Sequence, residues 1–171
     1  MSNRPIVITG FMGSGKSAVA SALSRGLQCE AIDLDEAIAA AEGRSARQII
    51  DETGEGSFRE IETRALEKSL ANLPAGIIAL GGGAWTIPRN RDLINQHGGI
   101  SVWLDAPFDL CWKRILASGD ERPLARNEQE ARELYERRLA HYKRANLHIE
   151  ARDDKSVAET VGEIIQALSS H

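Results

Sequence analysis

Residues 10–17 read GFMGSGKS and directly follow the apolar run Pro5-Ile-Val-Ile-Thr9. A short apolar run stopped by glycine reads as a buried strand, and the residues from Lys16 to about Leu27 read as a helix. The eight residues between them fit the pattern G-x-x-x-x-G-K-[ST] at every fixed position, in the strand-to-helix setting that the pattern requires. Glycine lets the backbone curl until successive N–H groups point into one concavity. The helix N-terminus adds its partial positive charge. Lys16 can then reach β- and γ-phosphates, and the Ser17 hydroxyl can ligate Mg²⁺. The candidate nucleotide-binding residues are Gly13, Ser14, Gly15, Lys16, Ser17 and Ala18. No [NT]-K-x-D guanine-reading motif is present, which favours ATP. The cradle alone does not separate a kinase from a GTPase, a motor or a sensor.

Further apolar runs follow at Glu30–Asp33, Gly76–Leu80, Ile100–Leu104 and Leu147–Ile149, and each reads as a strand. Helical patterns lie between them, over Asp35–Ala41, Ser45–Glu52, Pro88–His97 and Pro107–Ala117. Phe58, Ile61, Ala65, Leu66, Ser69, Leu70 and Leu73 recur at helical spacing, as do Ala131, Leu134, Tyr135, Arg138 and Tyr142. Val157, Val161, Ile164, Ile165 and Leu168 mark a closing helix. Strands alternating with helices predict an α/β fold of three layers, with a parallel sheet of about five strands covered on both faces. Ligands in such sheets sit at the carboxyl ends of the strands.

A chain of 171 residues has room for one domain with a real core. An apolar fraction of 42% beside a charged fraction of 27% indicates a soluble globular protein. The net charge of −4 argues against non-specific nucleic-acid binding. No apolar run is long enough to span a bilayer, and the N-terminus has no signal-peptide core. Cys29 and Cys111 have no metal-like spacing, so a reducing cytoplasm is the simplest compartment.

The remaining polar residues have two readings each. In AIDLDEA, residues 31–37, Asp33 and Asp35 stand two apart, and on an extended segment they would project together. Asp33 can orient the water shell of Mg²⁺, and Asp35 can hold a substrate hydroxyl or cap the following helix. In FREIE, residues 58–62, Arg59 and Glu62 can touch at i, i+3. They form either an anion grip or a surface ion pair. Gly81, Gly82 and Gly83 end a buried strand, as a turn or as a place where something approaches the backbone closely. Residues 118–127 read as a loop whose Arg122 and Arg126 are either solvated or able to close over a transferring phosphate. Arg138 lies on an apolar stripe and should point inward, unlike Arg137, and an inward arginine needs an anion or an acid. Trp85, Trp103 and Trp112 read as core or pocket wall.

Taken in order, GFMGSGKS, DLDEA, GEGSFREIE, GGGA, RPL and a late helix arginine followed by tyrosine resemble the shikimate kinase family. These are small P-loop kinases with a nucleoside-monophosphate-kinase-like fold. The resemblance covers nearly the whole chain, taken as one kinase domain over 1–171 with acceptor-binding helices at about 35–62 and a lid loop at about 118–127. It implies phosphorylation of the 3-hydroxyl of shikimate by MgATP, in aromatic amino-acid biosynthesis. Lys16 and Ser17 would serve the phosphates and Mg²⁺, with Asp33 assisting the metal. Asp35 would hold the shikimate hydroxyls and help take the proton. Arg59 and Arg138 would clamp the carboxylate, the backbone of Gly81–Gly83 would line the pocket, and Arg122 would reach over the phosphoryl. Arg114 would lie against the adenine, opposite the Arg152–Lys155 loop. ATP and shikimate would be the partners of a cytoplasmic monomer, with no nucleic acid and no membrane. Two departures stand out: Ala125 where the family often has a second leucine after R-P-L, and Arg138-Leu-Ala-His-Tyr142 where it often reads R-x-P-x-Y. Without that proline the helix can run on. The rival readings are a gluconate-kinase-like enzyme and a non-catalytic ATP-binding sensor.

Overall fold

The computed structural model describes residues 4–119 and 127–170. Five strands, β1 (Ile6–Thr9), β2 (Ala31–Asp33), β3 (Ile77–Ala79), β4 (Ile100–Asp105) and β5 (Leu147–Glu150), form one sheet in the order β2-β3-β1-β4-β5. Every pairing is parallel, with Ile6 opposite both Ile77 and Ile100. The helices are α1 (Lys16–Leu27), α2 (Leu34–Glu42), α3 (Ala46–Thr53), α4 (Glu55–Asn72), α5 (Pro88–Gln96), α6 (Phe108–Ser118), α7 (Glu128–Tyr142) and α8 (Val157–Ser169).

The strands are apolar at nearly every position because both faces are covered. Ile6, Ile8, Ile77, Ala79, Val102 and Leu104 pack on one face with Val19, Ala20 and Leu23 of α1 and Val161 and Ile164 of α8. Val7 and Ile78 point the other way, into a larger core with Leu34, Phe58, Leu66, Ile94, Cys111, Leu134 and Tyr142. The three-layer α/β/α arrangement expected from the alternating pattern is therefore present. Its layers are unequal, with α2 through α7 crowded onto the second face.

Local boundaries differ from the sequence expectation at three points. Helix α2 begins at Leu34, and its cap is Asp33, whose side chain accepts from the backbone N–H groups of Asp35 and Glu36. Asp35 is therefore in the first helical turn, and the two acids do not share an extended strand. Helix α4 starts at Glu55, earlier than its apolar stripe indicated, directly after Gly54, which holds a positive φ of 87°. A 3-10 turn over Ala84–Thr86, absent from the periodicity reading, follows the glycine run. Helix α7 continues through Ala140 to Tyr142, as the missing proline allows.

The 3-10 turn is held from below by a fully buried amide. Asn90 donates to the Ala84 carbonyl at 2.9 Å and accepts from the Thr63 hydroxyl at 2.7 Å. Replacing Asn90 with Ala leaves Thr63 and Ala84 without these partners, so it should lower unfolding stability by about 1–3 kcal/mol in a urea titration. An unchanged urea midpoint would show that the amide does not hold the turn.

Candidate active site

Because the sheet is parallel, β1, β2 and β3 all deliver their following residues to one edge. The turn after β1 needs glycine. Gly13 and Gly15 hold φ of 78° and 99°. A Cβ on Gly13 would also stand 2.6 Å from the Cys111 carbonyl of α6. Lys16 folds back over this turn and donates to the Gly10 and Phe11 carbonyls, each at 2.9 Å. Burial pulls its pKa down to about 8, against the opposing pull of Asp35, Cys111 and Asp33. A cation so placed gains from a phosphate that replaces the carbonyls.

The Ser17 hydroxyl at the start of α1 donates to Oδ2 of Asp33. The other oxygen, Oδ1, accepts from the Asp35 N–H at 3.0 Å. Among the described residues no group of three or more His, Cys, Asp or Glu could hold a metal ion by itself. One hydroxyl and one carboxylate at a phosphate cradle suit Mg²⁺, which keeps several waters and takes further oxygens from a nucleotide.

The glycine run after β3 is where the acceptor-side groups converge. A Cβ on Gly81 would meet Asp35 at 2.7 Å and Glu62 at 3.0 Å. On Gly82 it would meet Nη1 of Arg138 at 3.1 Å, and on Gly83 it would collide with the Arg59 guanidinium. Three side-chain-free residues thus let an acid pair and two arginines approach one stretch of backbone. The Tyr142 hydroxyl fixes the stretch by donating to the Gly82 carbonyl at 2.5 Å. Burial raises the Tyr142 pKa to about 12, against the pull of Arg138, so the phenol stays a donor.

Arg59 and Glu62 are in contact at 2.7 Å, and Glu55 bonds the same guanidinium at 3.1 Å. Glu62 is fully buried, so the surface-pair reading of FREIE does not hold. One of its oxygens, Oε1, has no hydrogen-bond partner among the described residues. Burial pushes its pKa above the usual carboxylate range, Arg59 opposes this and Asp35 adds to it. Arg138 is 7% exposed, as the stripe required. Burial lowers its pKa, the Tyr142 hydroxyl opposes this, and the neighbouring Arg59 lowers it further. The two guanidiniums border a cavity of about 350 Å³ with Glu55, Thr86 and His141.

Arg114 of α6 reaches the P-loop backbone, donating weakly to the Ser14 and Gly13 carbonyls at 3.3 and 3.4 Å. Lys113 pairs with Asp153 at 2.7 Å, which brings the 152–155 loop beside the same helix. Arg122, Ala125 and Arg126 lie outside the described residues. Sequence reasoning missed the depth of Glu62 and the partnership of Tyr142 with Gly82. A signal for the first existed: Glu62 stands four residues after Phe58 and four before Leu66, on the buried stripe of α4. The Tyr142 contact spans 60 residues and had no local signal.

A parallel sheet with a phosphate cradle at its carboxyl edge, an acid beside it and buried arginines across from it defines a P-loop phosphotransferase of the nucleoside-monophosphate-kinase-like class. The shikimate kinase family model matches residues 12–169. The chain is 34% identical over 171 residues to the shikimate kinase of Ruegeria pomeroyi, covering 98% of this chain and 86% of that one. It is 38% identical to the shikimate kinase of Geobacter sulfurreducens, covering 98% and 92%. Shikimate kinase from Acinetobacter baumannii, solved in complex with shikimate, superposes with a TM-score of 0.88 at 31% identity, covering 98% and 93%. This chain belongs to the shikimate kinase family.

The depressed Lys16 pKa gives a pH dependence whose sign is fixed. Phosphates favour the charged amine, so the pKa of Lys16 is higher in the nucleotide complex than in the free protein. Nucleotide affinity should be flat up to about pH 8. Above that it should fall by up to about tenfold per pH unit, with uptake of a proton on binding. Calorimetric titration with a non-hydrolysable ATP analogue in buffers of different ionisation enthalpy measures both. No proton uptake near pH 9 would contradict the assignment.

Proposed function

We propose that this chain transfers the γ-phosphoryl group of ATP to the 3-hydroxyl of shikimate, in aromatic amino-acid biosynthesis. The observation that carries the reading is the convergence of Asp35, Arg138 and Arg59 on consecutive glycines beside a phosphate cradle. Arg59 already holds Glu62 and Glu55, so a carboxylate between it and the buried Arg138 gives Arg138 an anion that no ion pair among the described residues supplies. The ring hydroxyls of an acceptor anchored there face Asp35 and the Lys16 side of the cradle.

Asp35 accepts the proton of the 3-hydroxyl as its oxygen bonds to the γ-phosphorus. The bond from that phosphorus to the β–γ bridging oxygen breaks, and ADP leaves. Lys16 and the P-loop N–H groups hold the phosphates in line. Ser17 and Asp33 would hold Mg²⁺, which when bound neutralises phosphate charge. Arg114 and the 152–155 loop flank the adenine in this reading, and Arg122 closes over the phosphoryl. In this reading the enzyme works as a cytoplasmic monomer.

ADP formation with MgATP and shikimate, against gluconate and quinate, tests the acceptor directly. Shikimate alone should stimulate it, and slow hydrolysis indifferent to all three would discard the reading. Asp35→Asn should lower kcat by about 10²–10⁴-fold while leaving ATP affinity within about twofold. Arg59→Ala should weaken shikimate binding by about 2 kcal/mol or more and ATP binding far less. Equal losses for the two ligands would make Arg59 structural.

A further inference from the structure

The cavity that Arg59 and Arg138 border carries more positive charge than one carboxylate clamp requires. Besides Arg59 and Arg138 it is bordered by Arg137 and His141, which stand four apart on α7 and therefore share one side of it. Arg137 is exposed, and no carboxylate among the described residues pairs with it. The His141 side chain is likewise without a hydrogen-bond partner there, and its Nδ1 is buried unsatisfied. Across the cavity the lining acid is Glu55, already bonded to Arg59. Arg138 of the clamp is buried, Arg137 beside it is exposed, and neither Arg137 nor the His141 ring is paired with an acid among the described residues.

We propose that Arg137 and His141 form an outer capture rim that draws a carboxylate acceptor into the cavity before Arg59 and Arg138 take it. The inference rests on the acceptor reading above. Charges at the mouth of a cleft raise the local concentration of an oppositely charged ligand, and their effect fades as salt screens them. Deep, desolvated charges are screened much less. The rim therefore governs capture, and the clamp governs retention.

His141 makes the rim adjustable. Its own burial, with Arg91 of α5 and Arg144 beyond the end of α7, holds its pKa below the ordinary histidine value. Arg137 and Arg138 on α7, and Arg59 opposed by Glu55 on α4, complete the charged groups around it. Because that pKa is held down, the rim gains a second charge only on acidification below the ordinary histidine range.

The test compares steady-state kinetics for shikimate in the wild type, Arg137→Gln and His141→Gln. Arg64→Gln, an exposed arginine on α4 outside this cavity, is the charge control. At low ionic strength Arg137→Gln should raise the shikimate KM about three- to tenfold, with kcat and the ATP KM within about twofold. Added salt should shrink the difference. His141→Gln should match the wild type at about pH 7.5 and have a lower ratio of acid to neutral shikimate kcat/KM than the wild type. A shikimate KM in Arg137→Gln that matches the Arg64→Gln control at every salt concentration, or a His141→Gln pH profile parallel to the wild type, would overturn the rim. If the wild type itself fails to phosphorylate shikimate, the acceptor reading has failed instead.

Discussion

The pair of half-buried Arg59 and buried Glu62 sets the terms for the rest of this side of the site. Removing two ions from water costs several kcal/mol each, and their attraction offsets that only with good geometry. Here the contact is 2.7 Å, but one Glu62 oxygen has no partner among the described residues and a second guanidinium, Arg138, adds unbalanced positive charge nearby. An anion beside Arg138 gives that guanidinium a counter-charge, which favours a carboxylate ligand over a neutral sugar. That is the physical case against a neutral acceptor; an open-chain acid such as gluconate also presents a carboxylate, and the controls with gluconate and quinate separate the acids.

The two halves of the site meet through Lys16 and Asp35. Lys16 is held by backbone carbonyls rather than by a carboxylate, so no ion pair has to break before it can turn to a phosphate. Asp35 still acts on it at longer range, as the largest of the charges that raise its pKa. The charge of Asp35 therefore favours the cationic form of Lys16, the form that holds phosphates.

The layers, the strand positions and the phosphate cradle were legible because each rests on local pattern: apolar runs, glycines and helical spacing. Arg138 was legible for the same reason, since an arginine on an apolar stripe has to face inward. Glu62 was misweighed because an i, i+3 ion pair is usually a surface feature, and only its place between Phe58 and Leu66 shows otherwise. The assignment of one groove to Gly81, Gly82 and Gly83 followed from glycine's small size, but which side chain lies against which glycine depends on contacts between α2, α4, α7 and β3. Those contacts are made across dozens of residues, where spacing in the chain carries no information about distance in space.

The spacing of Asp33 and Asp35 has a different cause from strand alternation. A helix cap must reach N–H groups two and three residues ahead, so a capping aspartate at 33 necessarily engages the backbone of residues 35 and 36. Asp33 spends Oδ1 on this and leaves Oδ2 for Ser17. One carboxylate therefore ties the start of α1, at the phosphate cradle, to the start of α2, which carries Asp35 to the glycine run. Moving Asp33 toward a metal ion would pull on the backbone N–H of Asp35, and a shift of α2 around an acceptor would turn the carboxylate that faces Ser17. Two acids separated by one residue are the shortest arrangement in which a helix cap can make that connection.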